Sequence, residues 1–302
     1  MELNNRQAII DLTREWKGER LDDGRPCVPD KDLEILREMT LEEIWLPLYI
    51  LGYKFQFVGD MKTLLPEKKL VGRAVTCTFV PTRPDLYSVV YDIGHERNWR
   101  GMCNQWVIDN LTKNDVVVAD MFDKVFNGTF IGGNLTTAIS TLTGNGGAVI
   151  WGGVRDVEQM SKIGVQVYYR GTDPTPIREC VMTGYNDVCR ISEAVCLPGD
   201  VVMGTSSGVL FIPSHLVTEV INSASKSKIK DVFGFDMIEQ GVYSSTDIDS
   251  PVWSTEMLEN MMKFIEKDER CAKYRKLDWS LEIGAAKDEP EALKEIMKTC
   301  LR

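Results

Sequence analysis

Between Asp120 and Asp156 the chain concentrates residue types that can hold an anion and, beside it, a cation. A run typical of a buried strand, Asp115–Asp120 (DVVVAD), ends on a carboxylate. The turn Phe130-Ile131-Gly132-Gly133-Asn134 then leads into a helical pattern from Leu135, which stops at Gly144-Asn145-Gly146-Gly147. A second strand-like run, Ala148–Trp151, delivers Gly152-Gly153-Val154-Arg155-Asp156. Glycines ahead of a helix allow close backbone approach, and the unpaired amides of a first helical turn attract anions. If the two strand ends lie side by side, Arg155 and Asp156 arrive next to those amides. Gly132, Gly133, Asn134 and Leu135 would then form a carboxylate pocket, Arg155 a guanidinium clamp and Asp156 a hard-cation ligand. Asp120 can orient these groups or close a turn with Asn127-Gly128. The structural alternative is that the glycines only satisfy a turn and that Arg155-Asp156 is solvated charge.

The elements around this window form a pattern. Short β-rich runs recur at Val71–Pro81, Asp115–Asp120, Ala148–Trp151 and Val165–Tyr169, with Val201–Met203 and Val209–Ile212 after the Pro198-Gly199-Asp200 turn. Unbroken Val/Ile runs suit strands covered on both faces. Helical spacing appears at Leu135–Leu142 and Ser214–Ser225 between them. Ile9, Leu12 and Trp16 predict an N-terminal amphipathic helix, and the apolar spacing of Asp30–Ile50 predicts another beyond Gly24-Arg25-Pro26. From Phe233 on, Thr255–Ile265 and Glu289–Leu301 are amphipathic, and this tail reads as helical packing or assembly material. The expected organisation is an α/β core over residues 69–232, an N-terminal helical segment over 1–68 and a C-terminal helical extension over 233–302.

From about Leu33 to Val232 the sequence resembles the family containing 4-hydroxy-4-methyl-2-oxoglutarate aldolase and the regulator of ribonuclease activity A, the RraA-like family. The resemblance is carried by Gly132-Gly133-Asn134-Leu135 with Ala138, Gly146–Ile150, Gly152–Asp156, Pro198-Gly199-Asp200 and Gly208–Pro213. It implies a swivelling β/β/α-type core, assembly as homotrimers or homohexamers, and active sites between subunits. In the aldolase members Mg²⁺ or Mn²⁺ and an arginine hold a 2-oxo acid. Cleavage or decarboxylation there releases a pyruvate enolate.

Two positions depart from that pattern. Where the lyase members carry acidic residues, this chain has Asn134 and Gln159, while Arg155 and Asp156 are retained. An amide neither takes a proton at ordinary pH nor binds a hard cation as a carboxylate does. Asp92, His95 and Glu96 can supply the missing base, or they lie on an exposed helix-loop. Arg170 can reach an anion or be a surface residue, and Asp200 reads as a turn residue.

Composition limits the function classes. The chain has 302 residues, with 35 Lys+Arg against 45 Asp+Glu and a net charge of −10. That balance argues against a nucleic-acid partner. No run approaches the roughly 18 apolar residues of a membrane span. The eight cysteines are scattered without a C-x-x-C and the opening residues lack signal-peptide character, so the expected compartment is the cytoplasm. The reading is a metal-assisted lyase, aldolase- or decarboxylase-like, on a small anionic oxo- or hydroxy-acid, sugar-derived acids included. The rival is a non-catalytic trimeric regulator of the ribonuclease-binding type.

Overall fold

A computed structural model describes residues 3–298. The chain begins with helices α1 (Arg6–Leu12), α2 (Asp30–Arg37) and α3 (Leu41–Ile50), then strands β1 (Phe57–Val58), β2 (Lys62–Thr63) and β3 (Leu70–Pro81). Helices α4 (Pro84–Glu96) and α5 (Cys103–Ile108) precede β4 (Asp115–Asp120) and β5 (Thr129–Ile131). Next come α6 (Gly133–Thr143), β6 (Gly147–Val154), α7 (Val157–Ile163) and β7 (Gln166–Thr172). Strands β8 (Cys180–Tyr185), β9 (Cys189–Ile191), β10 (Ala194–Cys196), β11 (Val201–Thr205) and β12 (Gly208–Ile212) follow. The remainder is helical: α8 (Val217–Glu239), α9 (Ser245–Ile248), α10 (Thr255–Lys267), α11 (Ser280–Ala286) and α12 (Pro290–Lys298).

The described residues form two compact units, one of 3–41 with 54–218 and one of 42–53 with 219–298. The first is built on a mixed sheet ordered β1-β12-β11-β3-β4-β6-β7-β2. Its centre, β3-β4-β6-β7, is parallel, and the flanking pairs are antiparallel. Side chains alternate across β4: Val117 and Ala119 join the core under α5, α6 and α7, while Val116 and Val118 join the core under β9 and β10. Both faces being covered explains why the run is apolar throughout. Each fully buried aliphatic side chain contributes about 1.5–3 kcal/mol.

The α/β fold class with added terminal helices holds, with several local differences. The single helix expected over Asp30–Ile50 is two helices, α2 and α3. The Thr40-x-x-Glu43 spacing is itself a helix-start signal, so a second helix opens where one was expected to continue. The first helix ends at Leu12, and Trp16 lies beyond it. Residues 54–68, expected within a helical segment, instead supply the edge strands β1 and β2. The strand over Val165–Tyr169 runs on to Thr172, because β7 stays paired with β6 through Val154↔Thr172. The final helix expected through Leu301 is described to Lys298, and residues 299–301 lie outside the described range. The seven cysteines among the described residues are all unpaired. No helix among the described residues is long and apolar enough to cross a membrane.

Candidate functional site

Helix α6, GNLTTAISTLT, is rich in β-branched threonine and modest in intrinsic propensity. Thr136, Thr137, Thr141 and Thr143 each bond a carbonyl one turn back, which uses their hydroxyls inside the helix. Packing of Ile139 in the core holds it in place. Gly144, at φ +68°, ends it in a conformation that a side chain disfavours. At its start, the first intrahelical bond runs from the Thr136 amide to the Gly132 carbonyl. The amides of Asn134 and Leu135 therefore have no partner within the helix.

The Gly133 amide is occupied, donating to Asp156 Oδ2 at 3.2 Å. Asp156 follows β6 with a left-handed backbone (φ +57°, ψ +35°) that costs a non-glycine residue about 1 kcal/mol or more. It sits at the N-cap of α7 without capping it. Its carboxylate turns instead toward Gly133 and Arg155, whose Nη1 lies 3.4 Å away. Gly132 is required by this approach: a Cβ there would lie 2.4 Å from Asp156 Oδ2 and 3.0 Å from Arg155 Cγ. A Cβ on Gly133 would meet Gln159 Oε1 at 2.6 Å, so Gln159 stands against the same turn. The Arg155 amide bonds the Ile131 carbonyl and ties the end of β6 to the end of β5.

An open cleft of about 470 Å³ lies at this end of the sheet. Arg155 and Asp156 line it from the β6–α7 connection, Glu158 and Gln159 from the first turn of α7, and Thr172 and Asp173 from the end of β7. These are carboxyl ends of parallel strands, where ligands of open α/β sheets bind. Asp173 was not anticipated. Its signal was register, since Val154 pairs with Thr172 and the residues after each strand must be neighbours. Hydrogen bonds from the Thr175 hydroxyl and amide hold the Asp173 carboxyl below the usual range, so it stays ionised in the cleft.

The predicted residues are only partly brought together. Gly132, Gly133, Arg155 and Asp156 meet directly, and Asn134 and Leu135 sit on the adjoining first turn of α6, with Asn134 exposed. Asp120 does not join them. It falls on the alternating face of β4 that points toward β9, where Arg190 Nε lies 3.9 Å from its Oδ2 and the Phe122 amide bonds its Oδ1. Burial raises the Asp120 carboxyl, against the Phe122 amide and Arg190. His95 and Glu96 are exposed at the end of α4, and no hydrogen bond or ion pair among the described residues connects them to Arg155 or Asp156. Arg170 is engaged by Asp60 and Asp123 and lies over the Trp151 ring at 4.4 Å.

A family model described as RraA-like (Aldolase/RraA) matches residues 48–211, just over half of the chain. An uncharacterized protein of Methanocaldococcus jannaschii is 26% identical over 122 residues, covering 40% of this chain and 59% of that relative, so the match spans under two thirds of its length. The crystal structure of an uncharacterized protein from Pseudomonas syringae pv. tomato superposes with a TM-score of 0.60 at 18% identity, over 75% of this chain and 95% of the other. Streptomyces coelicolor RraAS2, an unusual member of the RNase ES inhibitor RraA protein family, gives 0.59 at 22% identity, over 70% and 97%. At these identities the structural likeness is one of fold. The extent of the family match, over the segment that builds the sheet and the Gly132–Asp156 turn, places this chain in the RraA-like family.

Proposed function

We propose that the chain is a lyase, aldolase- or decarboxylase-like, acting on a small anionic oxo- or hydroxy-acid at the Arg155 cleft. The observation that supports this most is the state of Arg155. Its side chain is 41% exposed, it makes one long contact to Asp156, and it opens onto a cleft beside uncapped helix amides. A guanidinium so placed is available to clamp a carboxylate in two parallel hydrogen bonds. The Asn134 and Leu135 amides would take a second anionic group. Asp156, already oriented by the Gly133 amide, would keep the guanidinium in place before the substrate arrives.

Mg²⁺ or Mn²⁺ fits the donor set in a limited form. No cluster of three potential His, Cys, Asp or Glu ligands occurs among the described residues. Mg²⁺, however, commonly keeps several waters and takes only one or two carboxylates besides the substrate. Asp156, with Asp173 in the same cleft, would supply these. When bound, the ion would stabilise negative charge developing on the substrate oxygen as the carbon–carbon bond breaks. Neither Asn134 nor Gln159 can relay a proton, so the base used by the lyase members has no counterpart at those positions.

The test restores it. Wild type should carry out pyruvate-type aldol cleavage or oxaloacetate decarboxylation only slowly, for want of that base, yet faster than Arg155→Ala. Asn134→Asp with Gln159→Glu should bind Mg²⁺ more tightly and gain lyase activity on the order of 10²–10⁴-fold, the contribution of a general base. A double variant that binds the metal and remains inert would sink the lyase reading. The two amides at 134 and 159 favour a second reading, a binding protein of the ribonuclease-regulator type. Mg²⁺ titration with and without oxalate separates the two, since the clamp requires cation binding that strengthens with the acid. Either reading is proposed to act as a homotrimer or homohexamer, and a 34.1 kDa monomer by sedimentation would refute that assembly.

A further inference from the structure

The helical unit contains a second cleft, of about 530 Å³, whose chemistry is unlike that of the first. Along α8, Asn222, Ser223, Lys226, Ser227 and Lys230 line it at positions separated by about one turn, so one helix face presents an amide, two hydroxyls and two ammonium groups. Lys276 lines it from another segment, and Leu46, Pro47 and Ile50 supply an apolar wall.

The charges do not cancel. Lys226 Nζ lies 3.1 Å from both oxygens of Glu282, whose side chain is 10% exposed, so this ammonium has its counterion. Asp278, the other carboxylate of the lining, accepts from the amide and hydroxyl of Ser280 and is committed to the start of α11. Lys230 has no carboxylate within ion-pair distance among the described residues; its ammonium lies over the Trp253 ring at 5.2 Å, as that of Lys226 lies over Trp279 at 5.5 Å. Burial holds Lys230 below the usual lysine value, and Lys226 adds to that against the pull of Glu282. Lys276 is exposed and unpaired among the described residues. Three ammonium groups thus face two carboxylates, so the cleft keeps one net positive charge, and Lys230 and Lys276 stand outside ion-pair distance of any carboxylate among the described residues, beside hydroxyl donors.

We propose that this cleft is a ligand site for a phosphorylated small molecule, with the phosphate held by Lys230, Lys276 and the α8 hydroxyls. A phosphomonoester presents three acceptor oxygens, enough for both unpaired ammonium heads and an α8 hydroxyl at once. A carboxylate has only two oxygens and leaves one of these donors without an acceptor. The volume falls within the about 300–1,000 Å³ typical of small-molecule pockets, and the Leu46–Ile50 wall leaves room for an organic body. It shares no lining residue with the Arg155 cleft.

Calorimetric titration of the full chain with inorganic phosphate at constant ionic strength tests it, with acetate as the carboxylate arm. In Arg155→Ala, which removes the anion clamp of the other cleft, phosphate should bind saturably at one site per chain and more tightly than acetate. Lys230→Met should weaken it by about tenfold or more, as loss of a charge-assisted hydrogen bond predicts. Lys276→Met, at an exposed position, serves the same purpose if the first variant does not fold. In the same background Lys230→Arg should retain binding. Phosphate heats that do not saturate, binding that survives both lysine-to-methionine changes, or binding lost in Arg155→Ala would overturn the proposal.

Discussion

Arg25 and Arg155 each meet an aspartate, at opposite ends of the parallel strands β4 and β6. Arg25 is 1% exposed and donates to both oxygens of Asp115, at 2.8 and 3.1 Å, and through Nε to Asp23 at 2.6 Å. Asp115, fully buried, also accepts from the Thr112 amide and hydroxyl. Burial alone would depress the Arg25 guanidinium, but Asp115 and Asp23 more than offset it and hold its proton affinity above the ordinary value. The Arg155–Asp156 pair makes a single contact at 3.4 Å, with both side chains substantially exposed. Hydrogen-bonding capacity is consumed inside the fold in the first case and left facing a cleft in the second. The contrast teaches that an Arg–Asp pair closed on itself is structural, and that only one with donors left over has the capacity to take a ligand.

The largest effect that could break this comparison is on stability. Asp115→Ala leaves a buried guanidinium without its main counterion, and urea unfolding should show a loss of about 3–5 kcal/mol. A loss below about 1 kcal/mol would mean that the pair is no more structural than an exposed one. Arg155→Ala should behave in the opposite way. Its unfolding free energy should move by no more than about 0.5 kcal/mol. Oxalate affinity should fall roughly 10–150-fold, the equivalent of a hydrogen bond to a charged group. Unchanged oxalate binding in calorimetry would show that the acid sits elsewhere.

A smaller effect sharpens the same point with a carboxylate that has no cationic partner among the described residues. Asp200, in the turn before β11, is buried and accepts from the amides of Leu197 at 2.8 Å and Ser214 at 3.2 Å. Burial pushes its carboxyl up to about 7, with those two amides opposing. The folded state thus holds a proton that the unfolded chain, at about 3.9, has released. Between about pH 4 and pH 7 Asp200 should make stability fall as pH rises, by at most about 1.4 kcal/mol per pH unit. Below that window its favourable contribution is fully present, and above it the contribution is lost. Asp200→Asn should flatten this part of the pH–stability curve, and an identical slope in the variant would place the carboxyl's titration outside the window.

The local signals were legible where a short window contains its own physics. The Val116–Val118 run marked β4, because strands covered on both faces need apolar side chains at every position. Gly144 marked the end of α6, and Gly132-Gly133 marked the turn that admits Asp156 and Gln159. Arg155 and Asp156 stood out because they follow a strand directly, and their meeting with Gly133 needed only that β5 and β6 lie side by side.

Other features depended on pairings between distant segments, which residue types alone do not encode. Asp120 looked like a neighbour of the site, but strand alternation sends it to the opposite face, toward Arg190. Asp173 entered the cleft because β7 continues to Thr172 in register with Val154. Gly24-Arg25-Pro26 read as a break between helices, yet Arg25 reaches across 90 residues of sequence to the buried Asp115. The Lys226–Lys230 face of α8 became a cleft only when Leu46–Ile50 and Lys276–Glu282 packed around it. Sequence by itself determined the central strands, helix α6, the glycine turn and the family's Arg–Asp pair, because these rest on backbone freedom and short-range periodicity. Tertiary structure alone decided which charges were neutralised and which were left open, because a charge is countered by whatever folding brings within a few ångströms.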